Sequence, residues 1–136
     1  MREIRILLAE DSRADILMVR EALSAHKIAH ELHLAVNGEE ALAFIARMGK
    51  PDEPPCPDIL LLDLNLPRAD GLEVLREFRR HPECTNTPVI VMSSSTAPRD
   101  REAAGALDVT CYFAKPMSYE KFIQLGQLIK DAVGEE

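Results

Sequence analysis

Residues 59–71 read ILLLDLNLPRADG and carry the strongest fold signal in the chain. The stretch begins with four consecutive apolar residues, which is typical of a strand in the middle of a parallel sheet, where both faces are buried. The apolar run ends at Asp63, and an unpaired carboxylate is expensive to bury. Asp63 is therefore either a simple strand-ending residue or a functional group whose charge other residues stabilise.

The rest of the chain repeats the order of a short apolar strand followed by an amphipathic helix. Strands are predicted at residues 4–9, 31–36, 59–63, 88–92 and 109–114, and helices at 12–23, 39–48, 71–80, 99–106 and 118–133. This alternation indicates a parallel sheet covered by helices on both faces. Residues 49–57, GKPDEPPCP, contain four prolines and are predicted to be an inserted loop.

The second predicted strand differs from the others because apolar and polar residues alternate along it. Leu32, Leu34 and Val36 form the apolar set, and Ala35 belongs to the other face. Such alternation predicts one buried face, which suits a strand at the edge of the sheet.

Size and charge restrict the class of protein. The chain has 136 residues, 46% apolar and 29% charged, with a net charge of −7, so we expect one domain over residues 1–136. An acidic domain repels phosphates, which argues against binding to nucleic acid, and no apolar stretch is long enough for a membrane span. The chain ends shortly after the last predicted helix, so no output domain is expected.

The three cysteines, Cys56, Cys84 and Cys111, are odd in number and widely spaced. This pattern argues against a disulfide framework or a zinc site and favours a reducing cytoplasm.

Polar residues follow four of the five predicted strands. Because parallel strands bring their carboxyl ends to one edge, these residues should share a pocket: Glu10, Asp11, Asp63, Ser93 and Lys115. Several carboxylates in contact need a cation, and oxygen ligands suit Mg²⁺. A lysine and a hydroxyl beside them suit an anion, so the set is suited to phosphoryl transfer, with a carboxylate as nucleophile.

Four segments in this order resemble the CheY-like receiver domain of two-component response regulators: ILLAEDS, PDILLLDLNLPRADGLEVL, PVIVMSSS and CYFAKP. The resemblance covers nearly the whole chain. It implies a five-stranded parallel sheet in the order 2-1-3-4-5, the flavodoxin-like, doubly wound (βα)5 fold.

The resemblance also assigns roles at the pocket. Asp63 resembles the phosphoacceptor that attacks a phosphohistidine of a sensor histidine kinase. Glu10 and Asp11 resemble the acidic pair that holds Mg²⁺, with Asp63 and the backbone carbonyl of Asn65 completing the protein ligands. Lys115 resembles the lysine that contacts the phosphoryl group.

Three further residues resemble the parts that respond to phosphorylation. Ser93 resembles the switch hydroxyl, and Tyr112 resembles the switch aromatic, although a half-buried strand aromatic is the simpler alternative for it. The Lys115–Pro116 peptide is expected to be cis. The sequence departs from common family patterns in its Glu-Asp pair, in Ser93 where threonine is frequent, and in Ser95 two places beyond.

The resemblance implies partners as well. A receiver of this kind signals through protein contacts, either a homodimer through the face of the fourth helix, fifth strand and fifth helix, or a downstream protein or phosphotransfer partner. The proline-rich loop and the DLNLPRADG segment further resemble single-domain regulators partnered with bacterial phytochromes.

Three other functions are alternatives to a phosphorylated receiver. A haloacid-dehalogenase-type phosphatase also uses an aspartyl phosphate but needs an acid where this chain has Asn65. A flavodoxin-like cofactor binder needs a hydroxyl- and glycine-rich loop where this chain has EDSRAD. A pseudo-receiver that binds partners without phosphorylation remains the alternative function. Otherwise we expect no enzyme beyond self-phosphorylation and slow dephosphorylation.

Overall fold

The fold is a five-stranded parallel sheet in the order β2-β1-β3-β4-β5, as predicted. A computed structural model describes residues 3–94 and 98–134. The strands are β1 (Ile4–Ala9), β2 (His30–Ala35), β3 (Ile59–Asp63), β4 (Val89–Ser93) and β5 (Cys111–Ala114). The helices are α1 (Arg13–Ala25), α2 (Gly38–Arg47), α3 (Gly71–Arg80), α4 (Pro98–Gly105), α5 (Tyr119–Ile123) and α6 (Leu125–Val133), with a 3-10 turn at Pro82–Cys84.

The sheet separates two apolar layers, and successive residues of its central strands face opposite layers. On one side α1, α5 and α6 cover Ile6, Leu8 and Leu61. On the other side α2, α3 and α4 cover Leu60 and Leu62. All five residues of β3 are buried, which confirms the central position predicted from its continuous apolar run.

Side-chain caps fix where four of the helices begin. Ser12, Asn37, Asp70 and Ser118 each accept a hydrogen bond from a backbone N–H in the first turn of α1, α2, α3 and α5. These contacts satisfy N–H groups that have no partner within a helix. The predicted last helix is present as α5 and α6, because Gln124 between them leaves the regular pattern while keeping right-handed helical dihedral angles.

The prediction for β2 was wrong about which side chains are buried. Ala35 is buried on the α2 side, whereas Leu34 and Val36 are 38% and 39% exposed. β2 is an edge strand, and Leu34 and Val36 line an open groove with Ile16 of α1. The helix therefore covers the start of this strand and leaves its end open to solvent.

The prediction that the cysteines form no disulfide was also wrong. Cys56 and Cys84 are bonded, with their Cα atoms 5.9 Å apart, and Cys111 is free. The fold explains the pairing, because Cys56 precedes β3, Cys84 precedes β4, and these two strands are neighbours. The cysteine pattern consequently gives no support to a reducing compartment.

Among residues 3–94 and 98–134, no helix has both the length and the apolar character needed to cross a membrane.

Candidate functional site

The strand ends meet at one edge of the sheet, as the sequence predicted. Ala9 is paired with Leu62, and Asp63 with Met92. Lys115 continues from β5, and its N–H donates to the carbonyl of Ser93 over 2.8 Å. The residues that follow β1, β3, β4 and β5 therefore surround a single pocket.

Three carboxylates form the acidic part of this pocket. Glu10, Asp11 and Asp63 each place one oxygen within 4.8 Å of the others. Glu10 and Asp63 are buried, while Asp11 is exposed to solvent. Such a set of hard oxygen donors, open on one side, fits a divalent cation that keeps several waters, such as Mg²⁺.

Glu10 is a fully buried carboxylate that lies close to both a positive and a negative charge. Its Oε1 accepts the Ser12 N–H over 3.1 Å, but among the described residues Oε2 has no partner with hydrogen-bond geometry. Burial raises the pKa of Glu10 to about 7; the Lys115 ammonium, 2.8 Å from Oε2, opposes the shift, and the Asp63 charge adds to it. The nearest group to Oε2 is thus the Lys115 ammonium, and a metal ion would be a second positive charge that stabilises this buried carboxylate.

Lys115 supplies the positive charge of the pocket. Its Nζ donates to Asp63 Oδ2 over 2.8 Å and to Asp15 Oδ2 over 2.7 Å, and its side chain is 11% exposed. Burial lowers the pKa of Lys115, but the carboxylates of Asp15, Asp63 and Glu10 more than offset this, so the pKa is raised. The ammonium is therefore charged and directed at Asp63.

The segment after Asp63 is held close to it by the backbone. The Asn65 N–H donates to Asp63 Oδ1 over 2.9 Å, and the Gly71 N–H donates to the Leu64 carbonyl over 3.2 Å. A Cβ on Gly71 would lie 2.8 Å from the Asp63 carbonyl oxygen and 2.4 Å from Leu64 Cα. Glycine is needed here because α3 begins directly against this loop.

The two switch candidates lie on the strands next to the pocket, Ser93 at the end of β4 and Tyr112 three residues before Lys115 on β5. Ser93 is fully buried at the end of β4. Tyr112 is half-buried on β5, and the guanidinium carbon of Arg101 lies 4.6 Å from its ring centroid, which is a cation–π contact. Ser95 is outside the described residues.

The expected cis peptide is a further correction. No cis bond occurs in the described residues, so the Lys115–Pro116 peptide is trans. Trans is the intrinsically preferred isomer even before proline, and Lys115 Nζ reaches Asp63 with it.

Asp15 is a site residue that sequence reasoning missed. Its place three residues after Ser12 indicates only a helix-capping residue at the start of α1. Its N–H does donate to Ser12 Oγ over 3.2 Å, but Glu10 takes the Ser12 N–H that the Asp15 carboxylate would otherwise bind. The carboxylate contacts Lys115 instead, a pairing across 100 positions that no local pattern shows.

Comparisons with known proteins agree with this geometry. The family described as the response regulator receiver domain matches residues 6–126. Response regulator Rcp1 of Synechocystis sp. is 39% identical over 125 residues, which cover 92% of this chain and 85% of Rcp1.

Three solved structures share the fold. The Mn²⁺-bound form of Rcp1 has a TM-score of 0.82 at 38% identity, covering 94% of this chain and 92% of that chain. The phosphorylated cyanobacterial phytochrome response regulator RcpA has 0.83 at 35%, covering 96% and 93%. The bacteriophytochrome response regulator RtBRR has 0.74 at 32%, covering 90% and 75%. The family match and these relatives show that this chain belongs to the response regulator receiver domain family.

Proposed function

We propose that the protein is a phosphorylation-switched receiver in which Asp63 accepts a phosphoryl group from a phosphohistidine of a sensor histidine kinase. The observation that supports this most directly is the 2.8 Å contact between Lys115 Nζ and Asp63 Oδ2 beside the acidic cluster. A buried carboxylate paired with a fixed ammonium has both the nucleophilic oxygen and the charge that phosphoryl transfer needs.

In the proposed reaction an Asp63 carboxylate oxygen attacks phosphorus, and the phosphorus–nitrogen bond to the kinase histidine breaks. The product is an aspartyl phosphate, and the imidazole leaves with the electron pair of that bond and takes up a proton. Lys115 neutralises charge on the phosphoryl oxygens from a position that it already occupies. Glu10, Asp11, Asp63 and the Asn65 carbonyl would hold Mg²⁺, which supplies further charge neutralisation when bound.

The phosphoryl group adds charge next to the end of β4, which gives the switch its physical basis. Ser93 is proposed to bond the phosphoryl group, and Tyr112 to change position with it. β5 is an edge strand beside α4 and α6, so we propose that this face carries the output to a second copy of the chain or a downstream protein.

A surface next to the pocket supports a protein partner as phosphodonor. An open groove of about 550 Å³ beside Asp11 is lined by exposed Leu17, Leu34 and Val36, with Arg20 at its side. Exposed apolar side chains grouped in this way are typical of protein interaction sites. A kinase docked here would bring its phosphohistidine to the edge that contains Asp63.

The similarity to RcpA and RtBRR supports a more specific partner. Both are phytochrome response regulators by description, and both are more than 30% identical to this chain. We therefore propose that the kinase is a bacterial phytochrome or a closely similar red-light sensor.

The direct test is intact mass after incubation with acetyl phosphate and Mg²⁺. Wild-type protein should gain one phosphoryl group, and Asp63→Asn should gain none. Asp131→Asn is the matched control, because Asp131 is an exposed carboxylate on α6 with no contact to Lys115, and it should behave as wild type.

The other outcomes are also informative. If neither wild type nor Asp63→Asn gains mass while both stay folded, the protein is either a binding module that is not phosphorylated or a receiver that accepts the phosphoryl group only from its kinase. A gain in both proteins would mean that another residue accepts the phosphoryl group.

A further inference from the structure

We infer that Asp15 is a positioning residue for phosphoryl transfer, because its carboxylate holds the Lys115 ammonium in place over Asp63. The inference rests on the proposed phosphorylation of Asp63. It concerns a residue outside the set of carboxylates that would hold the metal.

The contacts of Lys115 separate Asp15 from the other acidic residues. Of the three carboxylates around Nζ, Glu10 and Asp63 belong to the cluster that would bind Mg²⁺, and Asp15 does not. Glu10 would be engaged by the metal ion, and Asp63 would carry the phosphoryl group after transfer. Asp15 is therefore the partner of Lys115 that stays available throughout the reaction.

The position of Asp15 suits this role. Its backbone is fixed at the first turn of α1 by the bond to Ser12 Oγ, and α1 begins directly after Glu10 and Asp11. Its side chain is only 27% exposed and makes the shortest contact of Nζ, at 2.7 Å. The segment from the end of β1 to the first turn of α1 thus carries two of the metal-binding acids, Glu10 and Asp11, and the lysine anchor.

A lysine side chain needs such an anchor because its four-carbon stem is flexible and its ammonium is a compact, strongly hydrated charge. Without Asp15, Nζ keeps only the contacts to Glu10 and Asp63 and can turn toward solvent, so the pocket loses part of its preorganisation. A partly exposed contact of this kind corresponds to a rate change of about two- to fivefold.

The first readout needs neither metal nor phosphodonor. In ¹H–¹⁵N spectra of the lysine ammonium groups, wild-type protein should show a slowly exchanging Lys115 signal, identified by its loss in Lys115→Arg. We expect the signal to disappear in Asp15→Ala, to weaken in Asp15→Asn, and to persist in Glu21→Ala. Glu21 is the matched control because it is an exposed carboxylate on the same helix.

The second readout is the rate of phosphorylation by acetyl phosphate at saturating Mg²⁺. Asp15→Ala should be about two- to fivefold slower than wild type. Asp15→Asn, which keeps an acceptor oxygen and loses the charge, should lie between them. Circular dichroism checks that each variant is folded.

Three results separate the possibilities. An unphosphorylated wild type overturns the proposed function and, with it, this role. A phosphorylated wild type with an unchanged Asp15→Ala rate and ammonium signal overturns the inference alone. Faster reaction in both Asp15 variants also overturns it, because Asp15 would then act only by repelling the anionic donor.

Discussion

At the scale of single residues, Glu10 connects burial with metal binding. It is fully buried, it contacts the Lys115 ammonium at 2.8 Å, and one of its oxygens lies within 4.8 Å of an Asp63 oxygen. Burial raises its pKa to about 7, so near neutral pH the free protein holds a proton that a metal ion has to displace.

We predict that Mg²⁺ affinity increases as pH rises through about 7, the raised pKa of Glu10. Below that pH, binding must release the Glu10 proton, so affinity should fall by up to about tenfold per pH unit. Calorimetry in buffers of different ionisation enthalpy, at both sides of this pH, measures the affinity and the proton release together. Glu10→Gln should bind more weakly and release no proton, and pH-independent affinity in wild type would contradict the prediction.

The same shift has the opposite consequence for the metal-free fold. Because the folded-state pKa lies above the ordinary value of 4.5, the folded protein holds more protons than the unfolded one between pH 4.5 and about 7. The free energy of unfolding should therefore decrease as pH rises across this window in the absence of Mg²⁺. The stabilisation of the folded state by the Glu10 proton is fully present below pH 4.5 and is lost above about pH 7.

The residues that follow the parallel strands were predicted to share a pocket, and they lie together in the structure. Parallel strands leave little freedom in where their ends lie. Asp63 and Lys115 follow from the strand ends in this way, whereas the place of Asp15 three residues after Ser12 indicates only a helix cap. The role of a carboxylate in the first turn depends on which neighbour takes the Ser12 N–H, and here Glu10 takes it. That competition depends on tertiary geometry.

At the scale of secondary-structure elements, the loop between β3 and α3 is fixed by two close backbone approaches. The Gly38 N–H donates to the Pro67 carbonyl over 2.9 Å, and a Cβ on Gly38 would meet Ala69 at 2.4 Å. Gly71 meets the Leu64 backbone at the other end of the loop. The starts of α2 and α3 thus hold the segment that follows Asp63.

We predict that Gly71→Ala displaces this loop, because the new Cβ would lie 2.8 Å from the Asp63 carbonyl oxygen. Overpacking against backbone should lower the free energy of unfolding by about 1–3 kcal/mol and slow phosphorylation of Asp63. Urea unfolding and the acetyl phosphate assay measure the two effects. Gly105→Ala is the matched control, since nothing lies within 4 Å of its Cβ; equal effects in both variants would contradict the steric argument.

The elements themselves were predictable because apolar periodicity follows directly from burial. The predictions that were wrong concern the burial of single side chains and the isomer of one peptide bond. Alternation in β2 indicated one buried face but could not show that Leu34 lies beyond the cover of α1. The Lys115–Pro116 isomer depends on a small energy difference that the surrounding fold decides.

At the scale of the whole molecule, the two ends of the parallel strands have different roles. The charged pocket lies at the carboxyl ends of the strands. At the opposite ends, the Arg79 guanidinium donates to the carbonyls of Cys84, Thr87, Leu107 and Asp108, which joins the turns before β4 and β5. The disulfide joins the proline-rich loop to the same region.

Cysteine number and spacing could not reveal this bond. The cysteines are 28 positions apart and share no motif, and only the adjacency of β3 and β4 brings them together. Such a pairing depends on the order of strands in the sheet, which an odd number of cysteines and their local spacing do not show.

We predict that the protein purified without reductant has one titratable thiol in denaturant, Cys111, and three after reduction. Closing a loop of 28 positions restricts the unfolded chain, so reduction should lower the free energy of unfolding by about 3 kcal/mol. Phosphorylation of Asp63 should change little, because the bond lies at the opposite ends of the strands.

The control is the double variant Cys56→Ser/Cys84→Ser. It should have the stability of the reduced protein and should not respond to reductant. Three thiols in the unreduced wild type, or equal unfolding curves with and without reductant, would show that the bond does not contribute. A large loss of phosphorylation on reduction, with the fold retained, would instead mean that the two ends are coupled through β3, the strand that connects Cys56 to Asp63.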